Sequence, residues 1–89
     1  MYFIEFTKSF QKALKRIFRN NKISEDDFFK KLDVFENNPF EPNLRTHKLS
    51  GKMQHLWAFS LGYDLRVVFI FEEDDKIVLV DVGTHDEVY

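Results

Sequence analysis

The chain has 89 residues, is 44% hydrophobic and 17% aromatic, and carries a formal net charge of −2. A length of this order supports one domain with one modest core, supplied here with eleven phenylalanines. The lack of cysteine excludes disulfide staples, thiolate metal sites and cysteine nucleophiles; no stretch reaches the ~20 apolar residues of a membrane span, and the first residues lack the features of a signal peptide, so a cytoplasmic protein is expected.

Tyr2 to Phe6 alternates weakly and reads as a first strand. Thr7 or Ser9 caps a helix of about three turns, in which Phe10, Leu14, Ile17 and Phe18 share a face and Lys12, Lys15, Arg16 and Arg19 lie elsewhere. Asn20-Asn21-Lys22 ends it. Ser24 caps a second helix whose first turn holds Glu25, Asp26 and Asp27, and whose apolar face is Phe28, Leu32 and Phe35 with Phe29 beside them. Asn37-Asn38-Pro39 stops that helix, and the short connection between the two predicts an αα-hairpin.

From Leu44 the pattern becomes β. Arg45 to Leu49 is a short polar strand. His55 to Leu61 puts His55, Trp57, Phe59 and Leu61 on one face and Leu56, Ala58 and Ser60 on the other. Gly62-Tyr63-Asp64 is a turn. Leu65 to Phe71 is apolar except at Arg66, as a central strand should be, and Glu72-Glu73-Asp74-Asp75 is an acidic hairpin tip before the strand Ile77 to Val82. The chain then passes Gly83 and ends at Tyr89, with no trailing helix expected. The order β-α-α-β-β-β-β predicts an α+β fold. It is an antiparallel twisted sheet with an N-terminal αα-hairpin packed on one face and the other face partly open, in a single domain of residues 1–89.

Charge is uneven along the chain. Residues 1–52 hold eleven Lys/Arg against seven Asp/Glu, whereas residues 53–89 hold two against eight. Thr7 to Lys22 carries six basic residues and no acid. Such polarity either guides association with a charged partner or is the solvated face of a helix.

The polar residues with chemical potential are His47, Lys48, His55, Asp64, Arg66, His85, Asp86 and Tyr89. Parity in Leu65 to Phe71 places Arg66, Val68 and Ile70 opposite the all-apolar set, so Arg66 is expected on the open sheet face, either ion-paired with Asp64 or Asp81 or functional. His47 and Lys48 are adjacent on a strand, so at most one of them joins Arg66. His85 has the side chain suited to proton transfer near neutrality. Metal spacing such as H-x-x-x-H is absent, as are a glycine-rich phosphate loop and a nucleophile elbow.

The run Leu44-Arg45-Thr46-His47-Lys48-Leu49-Ser50-Gly51, then Trp57, then Asp64-Leu65-Arg66-Val67-Val68-Phe69, then Val82-Gly83-Thr84-His85-Asp86-Glu87-Val88-Tyr89 resembles the RelE/ParE toxin superfamily, most of all its RelE/YafQ-like mRNA interferase branch. The H-x-L-x-G, D-x-R-V-x-F and G-T-H elements stand in that family's order, and the resemblance covers essentially the whole chain. It implies the toxin of a type II toxin–antitoxin system, a ribosome-dependent endoribonuclease that cleaves mRNA in the ribosomal A site and is held inactive by a cognate antitoxin whose disordered segment wraps it. The basic first helix and any exposed strand edge are the expected docking surfaces for that antitoxin.

The implied chemistry is metal-free attack of a ribose 2′-OH, with no cofactor. His47 and His85 would be base and acid or orient the substrate, Asp64 the acidic residue and Arg66 a phosphate clamp. Tyr89 would stack on a base, and Lys48 would contact phosphate. The sequence departs from the pattern at Ser60, where the family has a histidine, and in its acidic net charge. The alternatives are a ParE-like toxin that inhibits DNA gyrase by binding, and a catalytically weak module that binds antitoxin or represses.

Overall fold

In the computed structural model, which describes residues 1–51, 55–62 and 64–89, strand β1 (Phe3–Phe6) leads into helix α1 (Lys8–Arg19), and helix α2 (Glu25–Asn37) follows after a five-residue connection. Both expected caps form. The Thr7 hydroxyl accepts from Phe10 N–H at 3.1 Å, and that of Ser24 accepts from Asp27 N–H at 3.1 Å. The acids of α2 sit at the positive end of its dipole, and Arg16 and Arg19 sit at the negative end of α1. A 3-10 turn at Pro42–Leu44 then delivers the chain to strands β2 (His47–Lys48), β3 (Trp57–Gly62), β4 (Leu65–Glu73) and β5 (Lys76–Thr84).

The sheet order is β1-β5-β4-β3-β2. Strands β2 to β5 are the expected antiparallel meander, and β1 joins β5 in parallel, a pairing that hairpin connections do not specify. The predicted turn between β3 and β4 includes Tyr63, which lies outside the described residues.

The helix pair covers one face. Phe10, Ala13, Leu14 and Ile17 of α1 and Phe28, Leu32 and Phe35 of α2 pack against Phe59, Leu61, Leu65, Val67, Phe69, Ile77, Leu79 and Val82. Phe35 carries much of this contact, stacked on Phe59 at 4.1 Å and edge-on to Phe69 at 4.9 Å. Phe29, one residue round the helix from Phe28, stays 51% exposed.

Two features shape the opposite face. First, β5 carries a bulge. Val68 pairs with Asp81 but Phe69 with Leu79, so Val80 is an extra residue. Its carbonyl is taken up by the hydroxyl of Ser9 at 2.8 Å. Ile77 and Leu79 face the helices before the bulge and Val82 after it, which turns Gly83 to the far side. Second, the chain end, expected to run on without a helix, makes one helical turn, α3 (His85–Val88). Its Val88 packs with Leu56 and Val80 against a second small cluster of Leu49, Ala58 and Val68. The physical reason is a reciprocal cap: the Thr84 hydroxyl accepts from Glu87 N–H at 3.3 Å, and Glu87 Oε1 accepts from Thr84 N–H at 2.7 Å.

Candidate functional site

Arg66 lies on the face away from the helices, as strand parity required. Its cross-strand neighbours are Ser60 on β3 and Gly83 on β5. Both are small, so the row Ser60–Arg66–Gly83 leaves the long side chain room to lie over the sheet. Arg66 Nη1 donates to the Leu65 carbonyl at 3.0 Å and to the Ser60 hydroxyl at 3.4 Å. The Asp81 carboxylate is engaged by the Val82 N–H at 2.9 Å.

His47 pairs with Ala58 and Lys48 with Trp57, which assigns them to opposite faces of the sheet. His47 is therefore the one that joins the Arg66 face, and Lys48 lies on the other side. The His47 ring is fixed from behind: its Nδ1 sits 3.0 Å from the carbonyl of Arg45, a residue in the left-handed conformation at φ +53°. A carbonyl only accepts, so Nδ1 carries the proton there. A neutral ring then has its Nε2 lone pair free to accept, and that nitrogen stands 3.4 Å from the Tyr89 hydroxyl.

Tyr89 is the hub of the group. Its ring meets His47 edge-on at 6.2 Å and His85 edge-on at 4.4 Å. Burial raises its phenol pKa above the ordinary 10.0, while the nearby positive charge of Arg66 opposes that rise. At neutral pH the hydroxyl thus keeps its proton and can donate to His47. His85 is exposed, and its N–H donates to the Asp64 carbonyl at 3.1 Å. That bond ties the β3–β4 turn to the chain end. Asp64 is exposed and borders the group through its backbone.

Glu87 holds this end in place from the side. The Thr84 N–H and hydroxyl keep its carboxyl below the usual glutamate range, helped by the positive charges of Arg16 and Lys22. A cavity of about 250 Å³ lies elsewhere, between Lys22, Asp27 and Lys31 and the helix-facing Leu61 and Leu65. The histidines lie instead beside Tyr89 on the sheet face away from the helices. Among the described residues no three His, Asp or Glu side chains cluster as metal ligands, and no helix is long and apolar enough to cross a membrane.

Of the residues singled out in the sequence, His47, Arg66, His85 and Tyr89 come together, Asp64 adjoins them through its backbone, and Lys48 does not join them. Two features of this region were not foreseen, the contact that Ser60 makes and the terminal turn. Ser60, buried at 8% exposure, touches Arg66. Thr84-His85-Asp86-Glu87 is a capping-box sequence that foretells the terminal turn.

Comparison with known proteins agrees with this architecture. Residues 2–89 match the family of the bacterial toxin of type II toxin–antitoxin systems, YafQ. A metal-bound toxin from Helicobacter pylori is 26% identical, with a TM-score of 0.82 and 100% of both chains covered. YafQ from E. coli superposes with a TM-score of 0.80 at 15% identity, over 100% of this chain and 99% of that one. The YafQ chain of an E. coli DinJ–YafQ complex gives 0.75 at 17% identity, over 100% and 99% of the two chains. No curated protein matches.

Proposed function

The chain belongs to the YafQ family of bacterial type II toxins, and on that premise we propose that it is a ribosome-dependent mRNA endoribonuclease acting through the group on the sheet face away from its helices. The observation that carries this reading is the convergence of two histidines and an arginine around Tyr89 on one face. Cleavage of RNA by its own 2′-oxygen needs these three kinds of group. The 2′-OH loses a proton to a base, and its oxygen attacks phosphorus. The bond to the 5′-oxygen breaks and that oxygen takes a proton from an acid, leaving a 2′,3′-cyclic phosphate. Negative charge building on the phosphate oxygens needs a cation.

His47 is assigned as the base, because its Nδ1 proton is committed to the Arg45 carbonyl and Nε2, beside the Tyr89 hydroxyl at 3.4 Å, is the nitrogen left to take a proton. His85 is the acid, exposed at the rim of the same group. Arg66 clamps the phosphate. Tyr89 offers its ring to a base and its hydroxyl to His47. Asp64, at the turn that ties down His85, supplies the acidic group, and Lys48 is a flanking phosphate contact on the far side of the edge strand. These side chains act without a metal or cofactor in the proposed reaction.

The partner that keeps such a protein silent is an antitoxin with a disordered segment that folds on binding. The E. coli DinJ–YafQ complex supports this. The basic face of α1 and the outer edge of β1 are the surfaces proposed to receive it.

Induction of the wild-type chain should arrest growth with cleavage of translated message, mapped by primer extension. His85→Ala should relieve the arrest, since loss of a general acid costs about 10²–10⁴-fold in rate. Arrest with intact message and broken chromosomes would instead favour gyrase inhibition. Normal growth on wild-type induction would sink the toxic activity and leave an antitoxin-binding or repressor module.

A further inference from the structure

Ser60 is the buried polar side chain among the described residues, at 8% exposure, in a position flanked by the fully buried Phe59 and the buried Leu61. A hydroxyl at such a place is costly unless it is hydrogen-bonded. Its oxygen has two lone pairs, and each has a donor. One is the Gly62 N–H at 3.1 Å, beside the irregularity where the β3–β4 register shifts between Ser60 and Gly62. The other is Arg66 Nη1 at 3.4 Å. Ser60 and Arg66 are also direct partners across the two strands, so the contact is set by backbone register and not by chance meeting of loops.

We infer that Ser60 is a positioning residue for Arg66, its hydroxyl holding Nη1 of the guanidinium at the β3–β4 register. This inference rests on the proposed endoribonuclease reading for its purpose, but not for its geometry. Arginine has many rotamers, and a clamp that must be ordered anew in each turnover loses part of its interaction energy to entropy. Two anchors on one nitrogen, the Leu65 carbonyl and the Ser60 hydroxyl, remove that freedom in advance. The residue type fits the task. Alanine lacks the acceptor, and a histidine in this densely packed strand would occupy the space over which Arg66 lies.

The test separates geometry from activity. Nitrogen NMR of the arginine side chains in the intact chain should show slow exchange and restricted rotation at Arg66. Ser60→Ala should speed that exchange about tenfold or more, the loss of a hydrogen bond to a charged group. Ser60→Thr, which keeps the hydroxyl, should retain the slow signal. In cleavage on programmed ribosomes, Ser60→Ala should lower kcat about tenfold with little change in KM, since phosphate charge grows mainly in the transition state. In an Arg66→Gln background the same serine change should have an effect of no more than about twofold.

An Arg66 signal unchanged by Ser60→Ala would overturn the inference, as would an undiminished loss from Ser60→Ala when Arg66 is already glutamine. A wild-type chain that cleaves nothing would count against the proposed function alone, and the NMR arm would still decide whether Ser60 holds Arg66.

Discussion

Gly83 is where the chain end is seated on the sheet, and Gly83→Ala tests that seat directly. A β-carbon there would stand 2.9 Å from Glu87 Oε1, 3.1 Å from Glu87 Cβ and 3.2 Å from Val88 Cγ1. The first neighbour is the tip of a flexible side chain and can swing away, at the expense of its bond to the Thr84 N–H. The other two belong to the body of α3 and yield only if the turn moves. Overpacking of this kind costs about 1–3 kcal/mol when the surroundings hold still. Alanine also narrows the unfolded ensemble, which offsets about 0.4–1 kcal/mol. The steric effect wins by about 1–2 kcal/mol. At about 4–8 °C per kcal/mol for a domain of this size, Tm should fall by about 4–16 °C. The local effect is larger in consequence. A single turn held by one cap gives way before β4 or β5 does, so Tyr89 should leave both His47 and His85. Thermal unfolding by circular dichroism reads the first effect, and aromatic NMR contacts between Tyr89 and the two histidines read the second. An unchanged Tm with those contacts retained would refute the account of α3 as clamped over Gly83.

Two further outcomes follow from the packing and from the site. Phe35→Ala removes a ring that is fully buried between Phe59 and Phe69, and should cost about 3–5 kcal/mol in denaturant unfolding. Phe29→Ala, at a half-exposed ring, should cost well under that, and equal losses would contradict the buried face assigned to α2. Tyr89 should titrate above its ordinary 10.0, and Arg66→Gln should raise it further, because the arginine charge opposes the effect of burial. A phenol pKa raised on folding contributes stability that is fully present below pH 10.0 and is lost as pH rises through the folded value. Ring-carbon NMR of labelled tyrosine measures this; a midpoint at or below 10.0, or a downward move in Arg66→Gln, would dissolve the Tyr89–Arg66 proximity.

The parts of the fold that were legible in the sequence are those governed by local periodicity. Phe10, Leu14 and Ile17, and then Phe28, Leu32 and Phe35, announced two helix faces by spacing alone, and all six are buried. Thr7 and Ser24 announced the helix starts through the chemistry of their hydroxyls. Alternation in β4 put Arg66 on the face away from the helices, and adjacency in β2 meant that His47 and Lys48 could not both join it. The terminal turn was legible too, in the capping box from Thr84 to Glu87, but the preceding strand masked it.

What local pattern does not contain is the change of phase in β5. Counted by twos from Ile77 and Leu79, Gly83 belongs on the helix side, and the chain end would follow it there. The extra residue at Val80 reverses that assignment and brings Gly83 beside Arg66. A bulge is decided by pairing with a partner strand and by the Ser9 hydroxyl that donates to its carbonyl, both far away along the chain. The same holds for the contact between Ser60 and Arg66, which exists only once β3 and β4 are in register. Thus the sequence by itself determined which residues form helices, strands and core, because those follow from neighbours a few positions apart. Only the tertiary structure decided that His85 and Tyr89 join His47 and Arg66 on one face, because that depends on a one-residue slip between strands.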